Sequence, residues 1–356
     1  MTGGWSVRAA LPSDEARQAE IFDTCFRKDK DARTFRWKYR DNPHGPAISR
    51  VACDPSGTVV GGYSYVPRRF RRDGRPVLLS QASDAMTLPD WQGRGIFTGL
   101  DDVVCAEAGR QGIPWAYAYS GRLSLKGFLR NGWKLIGHAP VWRLRFRSRR
   151  SLRRAGRLAP AAVLLAPALD VVLARRARRL AAGVPADVQP LERFDAEADA
   201  LWTACAPARG LCGERDAAWL NWRYVDTPTR RQERFALRRG GRLDGWLVAE
   251  FHEGNAFLVD HLARDEDARA ALLAAFAGLA ARRGMEEATA LHFEHHPAVP
   301  HLQRLGFARR RSRRKEFRDM FPFIVRACRT DSPPEDLDIR RWHLADGDRD
   351  AEHISA

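Results

Sequence analysis

The sequence has few cysteines, few lysines and no long apolar runs, and each shortage excludes a class of protein. Its 356 residues include six cysteines, none in a C-x-x-C pair, and the nearest two, Cys205 and Cys212, are seven positions apart. This spacing argues against a zinc ribbon and against a dense disulfide framework. Scarce, scattered cysteines favour a reducing cytoplasm as the compartment.

Apolar stretches are short throughout. None reaches the roughly 20 uninterrupted apolar residues that a helix needs to span a bilayer. The first residues contain no apolar run either, so the sequence predicts no signal peptide. With 44% apolar and 29% charged residues, the chain has the composition of a folded globular protein. At about 100–200 residues per domain, its length predicts two domains.

Basic charge is present in excess. The formal net charge is +16, and of the 60 basic residues only six are lysines. Such a charge indicates an anionic partner, and nucleic acid, a membrane surface and a phosphorylated cofactor all qualify. Twelve arginines and a single acid, Asp170, lie within residues 143–179, whereas residues 331–356 hold eight acids and three arginines. Because the charge is concentrated in one segment, a uniform nucleic-acid-binding coat is disfavoured.

A short pattern rich in aromatic residues occurs twice and divides the chain into two halves. Residues 31–43 read D-A-x-x-Φ-x-W-[KR]-Y-x-D-x-P, and residues 216–228 repeat this pattern without a gap. Further on, the segment that ends in Gly132-Trp133 matches the one that ends in Gly306-Phe307, as in a helix closed by glycine and followed by a strand. We therefore predict two homologous halves.

Each half is predicted to have the same order of elements: a helix with the W-[KR]-Y segment, three strands, a long helix, a further strand and a short helix. The predicted strands are 49–53, 59–66, 77–86 and 115–119 in the first half and 234–238, 243–251, 256–262 and 288–293 in the second, with long helices at 96–111 and 268–283. This α+β pattern predicts a mixed, mostly antiparallel sheet flanked by helices in each half.

The predicted division of the chain is a domain at 1–145, an Arg-rich helical insertion at 146–185, a second domain at 186–328 and an acidic tail at 329–356. Prolines and Asp170 interrupt the apolar middle of the insertion, so it is too short to span a bilayer. Arginines around an apolar helix suit an interfacial position on anionic lipid, here through residues 143–179. The alternative is a helical hairpin packed between the halves, with its arginines in solvent.

The most specific functional motif is a loop between a predicted strand and a predicted helix. Its residues are Gln92, Gly93, Arg94 and Gly95, followed by Ile96 and Phe97. Glycines permit a tight turn and the close approach of a ligand to the backbone, and free N–H groups at a helix N-terminus favour an anion. The loop therefore predicts a diphosphate site, although many G-x-G loops are simple turns.

This loop resembles the [QR]-x-x-G-x-[GA] pyrophosphate loop of the GNAT superfamily of acyl-CoA N-acyltransferases. Residues 92–96 follow that pattern, whereas Phe97 stands where the family usually has Gly or Ala. The segment from Ser124 through Phe128 to Trp133 is similar to a later family motif, and Phe128 takes the position of the family's usual general-acid Tyr. The resemblance covers the first half and implies two GNAT-like domains in tandem.

An acyl-CoA co-substrate, without a metal, is what the resemblance implies for the first half. The cofactor-binding residues it implies are Met86, Leu88, Gln92, Gly93, Arg94, Gly95, Ile96, Phe97, Ser120, Ser124 and Phe128. In the second half the loop becomes residues 264–267, with Asp267 at the place of Gly95 and two further acids, which would repel a diphosphate. The second half is therefore predicted to be a degenerate GNAT-like domain that shapes the acceptor cleft.

Three residues are candidates for proton transfer. An amine must lose a proton to attack a thioester, and Asp84, on the strand that leads to the loop, is the candidate base. A structural salt bridge is the alternative for this residue. Tyr117 and Tyr119 lie on one face of the next strand, where the resemblance implies that the sheet opens for the pantetheine arm. Either can replace the acid missing at Phe128, and aromatic core packing is the alternative for both.

The sequence thus predicts an enzyme that moves an acetyl or other acyl group from acetyl-CoA or another acyl-CoA to a primary amine, by direct attack in a ternary complex. The expected acceptor is a small molecule or an envelope polysaccharide precursor. Two alternatives stay open: a Fem-type transferase that uses aminoacyl-tRNA and a lipid-linked precursor, and an acyl-CoA-binding module without turnover. The expected location is the cytoplasm, with peripheral contact at the inner membrane face, and nucleic acid is not the expected partner.

Overall fold

The computed structural model describes residues 4–28, 30–147, 159–206, 210–229, 231–309 and 320–350, with side chains only from Pro167 onward in the helix that begins at Ala159. The helices are α1 Glu15–Phe26, α2 Ala32–Tyr39, α3 Ile96–Arg110, α4 Arg122–Arg130, α5 Ala159–Ala182, α6 Ala196–Cys205, α7 Ala217–Tyr224, α8 Glu266–Arg282 and α9 Ala298–Arg304. The strands are β1 Ser6–Ala9, β2 Ile48–Cys53, β3 Val59–Arg72, β4 Arg75–Thr87, β5 Trp115–Tyr119, β6 Lys134–Arg145, β7 Val188–Pro190, β8 Leu211–Gly213, β9 Glu233–Arg239, β10 Arg242–His252, β11 Asn255–Ala263, β12 Glu287–Leu291, β13 Ala308–Arg309, β14 Met320–Ala327 and β15 Trp342–His343.

One sheet runs through the described part of the chain in the order β1-β2-β3-β4-β5-β14-β6-β12-β11-β10-β9-β7. Along this order the neighbours are antiparallel, except that β4 is parallel to β5 and β11 is parallel to β12. The predicted strands and long helices are present to within a few residues, apart from β3, which continues to Arg72. The predicted α+β class with a mixed, mostly antiparallel sheet is confirmed.

The β3–β4 hairpin shows how local sequence fixes this sheet. Asp73 and Gly74 join the strands with φ angles of +50° and +78°, the left-handed pair that a two-residue hairpin turn requires. Near the other end of the hairpin the register shifts between Gly62 and Ser64. Asp84 lies on β4 in this region with a φ of +50°, so β4 bulges beside the predicted loop.

The sheet order contains an exchange of strands between the two parts of the chain. β14, which the sequence division assigns to the second domain, pairs with β5 on one side and with the beginning of β6 on the other. The end of β6, from Val141 to Arg145, pairs instead with β12, and β13 pairs with β6 on its other side. Each part of the sheet is therefore completed by a strand from the other part.

A buried carboxylate attaches β14 to the helices of the first part. Asp101 on α3 is fully buried and accepts hydrogen bonds from Tyr65 Oη (2.8 Å), Asn131 Nδ2 (2.6 Å), Trp133 Nε1 (2.9 Å) and a guanidinium nitrogen of Arg326 on β14. Four donors satisfy the lone pairs of the carboxylate, which makes its burial tolerable. This cluster joins four elements that are distant in sequence.

The two copies of the repeated pattern meet face to face. The indole rings of Trp37 and Trp222 stack with centroids 4.6 Å apart. Trp37 Nε1 donates to the Trp222 carbonyl at 3.0 Å, and Trp222 Nε1 donates to the Trp37 carbonyl, also at 3.0 Å. The contact is reciprocal, as around a local two-fold axis, and the same signal that divides the sequence in two therefore marks where α2 and α7 touch.

Among the described residues the insertion contains one helix, and the hairpin alternative involves residues 148–158, which lie outside the described residues. α5 continues through Pro167 for 24 residues, and its C-terminal part packs on α8 through Ala177, Leu180 and the following Val184. Five of the twelve arginines counted in residues 143–179 lie at positions 149, 150, 153, 154 and 157, outside the described residues. In the described parts of the chain, no helix combines the length and the apolar content that crossing a membrane requires.

Candidate active site

The predicted glycine loop ends in an uncapped helix N-terminus. Gly93 and Gly95 have φ angles of +78° and +79°, a conformation that other residues adopt only with strain. Gly95 is the N-cap of α3 and no side chain caps this helix. A Cβ atom on either glycine would meet nothing within 4 Å. The first N–H groups of α3 therefore face open space, which suits an anion.

Side chains of the loop hold it in place. Gln92 Nε2 donates to the Thr87 carbonyl at 3.1 Å. Arg94 donates to the Asp90 carbonyl at 3.1 Å, and its guanidinium lies 4.5 Å from the centre of the Trp91 ring. One guanidinium N–H group is used in this way, and because Arg94 is exposed, other N–H groups remain directed to solvent.

Phe97, which departs from the family pattern, fits by packing on aromatic neighbours. Its ring lies edge-on to Phe128 at 5.1 Å and to Tyr63 at 5.8 Å. Gly127 lies beside this ring, since a Cβ there would be 3.7 Å from it, an ordinary van der Waals contact. Phe128 is buried in the same aromatic cluster and also contacts Trp133. Both phenylalanines therefore belong to the core beneath the loop.

The sheet opens next to this loop. β4 and β5 pair only at Ser80 with Ala116 and at Gln81 with Tyr117, so the rest of β4 and the end of β5 separate. Ser120 follows β5 at the edge of the opening, and its hydroxyl lies 3.2 Å from that of Ser124. On the β4 side, Met86 is buried and Leu88 half-buried. The opening lies where the resemblance implies a pantetheine arm.

The corresponding helix in the second part of the chain has an occupied N-terminus. The Asp265 carboxylate caps α8 by accepting from Ala268 N at 2.7 Å. Glu266, in the first turn, forms a hydrogen bond with His301 Nε2 at 2.6 Å. Side-chain carboxylates therefore take the place that an anionic ligand would need, in contrast to the N-terminus of α3.

Asp84 lies in a cluster of buried cations. Its Oδ2 is 2.7 Å from Lys30 Nζ and 3.2 Å from Lys38 Nζ, and it accepts a hydrogen bond from Tyr39 Oη. Burial alone would raise the pKa of this carboxyl, but the two ammonium groups outweigh it and hold the pKa well below its usual range. The ion-pair alternative for Asp84 is present in the structure, and the low pKa makes it a weak base.

Tyr117 and Tyr119 face the same side of β5, towards the C-terminal segment. Tyr117 is fully buried, packs on Phe70, Phe323 and Trp342, and its hydroxyl has no hydrogen-bond partner among the described residues. Burial raises the pKa of both tyrosines, and the charge of Asp348 raises it further. Both phenols therefore stay protonated at neutral pH.

The C-terminal segment adds charged groups that the sequence analysis did not select. Asp348 is buried and accepts from Arg215 Nη2 at 2.7 Å and from Arg68 Nη2 at 3.3 Å. Asp350, two residues on, pairs with Lys38, which also contacts Asp84. Residues 346–350 thus connect the Asp84 cluster with the surroundings of the two tyrosines.

Two of these cations stand at equivalent positions of the sequence repeat. Lys30 stands directly before the first copy of the pattern and Arg215 directly before the second. Arg215 Nε lies 3.1 Å from both carboxylate oxygens of Asp260, and Tyr224 Oη donates to Asp260 at 2.7 Å. A cation and a tyrosine therefore bind one strand carboxylate in each part of the chain, an arrangement that sequence spacing alone does not reveal.

Three histidines cluster near the end of β12. Their spacing along the sequence matches no common metal-binding motif. Ring nitrogens of His261, His292 and His296 lie within 4.8 Å of one another. Burial lowers the pKa of all three, to about 4 for His292. His296 Nδ1 accepts the Ala298 N–H at 3.1 Å, so its neutral ring carries the proton on Nε2 and that nitrogen has no lone pair for a metal. We assign no metal to this cluster.

Residues 6–136 match the family model described as an acetyltransferase (GNAT) domain. This range contains β1 to β5, the glycine loop and the opening between β4 and β5. It ends three residues into β6, before the part of that strand that pairs with β12. No curated protein matches the chain.

Solved structures share the fold over most of the chain. A GCN5-related N-acetyltransferase from Anabaena variabilis is 14% identical with a TM-score of 0.61, covering 91% of this chain and 73% of that one. A conserved protein of unknown function from Enterococcus faecalis, a probable N-acyltransferase, is 10% identical with a TM-score of 0.60 and the same coverage. Saccharomyces cerevisiae N-myristoyltransferase with bound myristoyl-CoA is 9% identical with a TM-score of 0.58, covering 91% and 79%.

At these identities the likeness establishes the fold alone. The family match establishes more for the part of the chain that holds the loop, because it rests on the sequence of that part. The resemblance found in the sequence is thereby confirmed: residues 6–136 of this chain are a GNAT acetyltransferase domain.

Proposed function

We propose that this protein is an acyl-CoA-dependent N-acyltransferase that moves an acetyl or other acyl group to a primary amine. The observation that carries the proposal is the uncapped N-terminus of α3 directly beside the opening between β4 and β5. The diphosphate of an acyl-CoA would bind at the N-terminus of α3, and its extended pantetheine arm would lie in the opening between the strands. In support, yeast N-myristoyltransferase, which has a similar fold, was solved with myristoyl-CoA.

Binding of acyl-CoA is assigned to residues around these two features. The N–H groups of residues 93–97 would hold the diphosphate, with Arg94 adding positive charge. Met86 and Leu88 would line one side of the arm and Ser120 and Ser124 the other. Phe128 would support this surface from within the core, since its ring is buried and cannot donate a proton.

The proton transfers are assigned to the face of β4 and β5 that holds Asp84, Tyr117 and Tyr119. The amine attacks the thioester carbon, the C–S bond breaks, the thiolate takes a proton and the nitrogen loses one. A phenol with a raised pKa is protonated at neutral pH and suits the donation to sulfur. Asp84 is a candidate acceptor of the amine proton, directly or through water, although its two lysine partners reduce its basicity.

The acceptor is proposed to be an amine of a small molecule or of an envelope polysaccharide precursor. Its binding place would be the cleft between the two parts of the chain, against residues 344–350. This segment lies near both tyrosines and contacts Lys38, the partner of Asp84, so an acceptor bound against it would be close to the groups proposed for proton transfer.

The second part of the chain is proposed to be a degenerate copy of the first. Support comes from the reciprocal Trp37–Trp222 contact and from the matching pairs Tyr39–Asp84 and Tyr224–Asp260. The division at 1–145, 146–185, 186–328 and 329–356 then needs one qualification, because β14 completes the first sheet. The capped N-terminus of α8 accounts for a copy that binds no CoA.

The test is acetyl-CoA-dependent thiol release measured with a panel of primary amines. An enzyme of this kind releases CoA faster with at least one amine than with water alone, and the product carries the acyl group on nitrogen. Tight acetyl-CoA binding without release for any amine would indicate a binding module, and absence of both binding and release would reject the proposal.

A further inference from the structure

We infer that α5, together with an arginine-lined cavity beside it, binds the surface of an anionic lipid membrane, with a lipid phosphate in the cavity. The cavity has a volume of about 330 Å³, and its lining residues are Arg143, Arg145, Leu173, Arg176, Gly306, Ala308 and Arg309. The four arginines come from β6, α5 and β13. The site is separate from the glycine loop and does not depend on acyl transfer.

Among the described residues around the cavity, arginines outnumber carboxylates. Glu287 lies 2.6 Å from Arg143 Nη1 and 3.8 Å from Arg145 Nε, and Glu294 pairs with Arg309. Arg176 donates to the Leu305 carbonyl, and burial lowers its pKa, as for a cation whose hydration is reduced without a full counter-charge. Four guanidinium groups and two carboxylates of the described residues thus surround the cavity, and guanidinium N–H groups suit the oxygens of a phosphate.

The helix beside the cavity exposes apolar side chains on one side. Leu169, Val171 and Val172 are 45%, 50% and 61% exposed. At about 100° per residue these three side chains lie within an arc of about 160°, whereas Asp170, Leu173 and Ala177 on the other side of α5 are half-buried. Arg175, Arg178 and Arg179 follow on the next turns and are exposed.

An anionic membrane accounts for both features at once. The three apolar side chains would leave water for the lipid, and the arginines would be attracted to its anionic surface. Nucleic acid would bind the arginines but leave the apolar side chains in water. A second copy of this chain would bring a second set of arginines against the first, which disfavours pairing.

The test is co-sedimentation of the full chain with two kinds of vesicle, one of phosphatidylcholine and one of phosphatidylcholine mixed with phosphatidylglycerol. We expect binding to the second kind only. Arg145→Glu with Arg176→Glu should lower the partition by at least tenfold, about the effect of losing two arginines at an anionic surface. Val171→Ser with Val172→Ser should lower it by a similar factor because less apolar area enters the lipid.

A matched control reverses two charges elsewhere. Arg33 and Arg36 are exposed on α2, so Arg33→Glu with Arg36→Glu changes the net charge equally without touching the cavity. This pair should reduce binding far less than the cavity pair. Circular dichroism and melting temperature of each variant identify any loss of fold, and variants that keep their fold are compared.

Three results would overturn the inference. The first is absence of binding to anionic vesicles, and the second is an equal loss from the control pair, which would indicate general charge attraction. The third is full retention of binding by the Val171→Ser, Val172→Ser variant together with displacement by inorganic phosphate, which would indicate a site for free phosphate. None of these results bears on CoA release in solution, so acyl transfer stands or fails separately.

Discussion

Asp84 is the residue whose sequence-based role changes most when its neighbours are known. From the sequence alone, a carboxylate on the strand before the loop is a candidate base. In the fold, Asp84 pairs with two lysines and lies where β4 bulges, with a φ of +50°. Its environment is that of a structural counter-ion first and of a proton acceptor second.

Replacing Asp84 by Asn should cost about 3–5 kcal/mol of unfolding free energy, because the buried ammonium groups of Lys30 and Lys38 lose the carboxylate that they share. Urea unfolding at neutral pH measures this loss. Asp90→Asn, at an exposed position in the neighbouring turn, should change stability by less than about 0.5 kcal/mol. Unchanged stability of Asp84→Asn with a large fall in kcat would show that Asp84 is the base.

The same residue predicts a pH dependence at the acidic end. A carboxyl whose pKa is lowered in the folded state stabilises the protein above its unfolded pKa of about 3.9. This contribution is lost as the pH falls towards the lower, folded value. Between pH 4 and pH 2 the free energy of unfolding should therefore fall more for the wild type than for Asp84→Asn. Acid unfolding of the two proteins measures this difference.

Tyr117 offers a clean test of proton donation. Its hydroxyl is buried without a described hydrogen-bond partner, so Tyr117→Phe should be neutral or slightly stabilising. If this phenol protonates the leaving thiolate, kcat should fall by about 10²–10⁴ while the melting temperature stays the same. Tyr119→Phe, two residues further along β5 and on the same face, is the matched comparison. Unchanged kcat in both variants would contradict a role for either tyrosine.

At the scale of elements, local signals were sufficient where the contacts are local. The turn at Asp73-Gly74 and the glycines of the loop lie where their conformational freedom predicts them. The alternation within β5 places Tyr117 and Tyr119 on one face, as expected. Capping explains the contrast between α3 and α8, since Asp265 occupies the N-terminus of the second helix and Gly95 leaves the first one open.

The strand exchange could not be predicted, because it depends on contacts far apart in sequence. β6 divides its length between two neighbours, and β14 pairs with a strand about 200 residues earlier in the chain. An isolated apolar run such as β14 carries no information about which sheet edge it will join. The partners of Asp101 show the same limit, since Arg326 reaches it only after the exchange.

Adjacent carboxylates on α3 allow the exchange to be tested. Arg326 binds both Asp101 and Asp102, but Asp101 is buried with three further donors and Asp102 is exposed. Asp101→Ala should cost about 3–5 kcal/mol, since it removes one of the two carboxylates that bind Arg326 and leaves the buried donors Tyr65 Oη and Trp133 Nε1 without their acceptor. Asp102→Ala should cost less than about 1 kcal/mol. Equal losses by denaturant unfolding would show that Asp101 does not hold β14 in the sheet.

At the scale of the whole molecule, most of the excess charge behind the net +16 can be assigned to one segment. The excess lies in residues 143–179, and four arginines from β6, α5 and β13 converge on one cavity. The repeat also gains a physical meaning, because its two tryptophans form the reciprocal contact between the parts of the chain.

A double-mutant cycle measures this contact. Trp37→Phe and Trp222→Phe each remove one indole N–H donor and part of the stack, so each should cost about 1–2 kcal/mol. Their coupling energy should be about 0.5–1.5 kcal/mol because the two rings share one interface. Additive losses in thermal or urea unfolding would mean that the two tryptophans contribute independently and that the reciprocal contact does not couple the two parts.

The central claim, that the glycine loop binds the diphosphate of an acyl-CoA, is tested most directly by calorimetric titration of acetyl-CoA. Gly95→Asp places a carboxylate at the N-cap of α3, the position that Asp265 occupies in α8. Gly74→Asp is the control, since Gly74 has nearly the same φ and open surroundings but lies in the β3–β4 turn. The account predicts that wild type and Gly74→Asp bind alike and that Gly95→Asp binds at least about tenfold more weakly. Equal binding by all three, or none by the wild type, would contradict it.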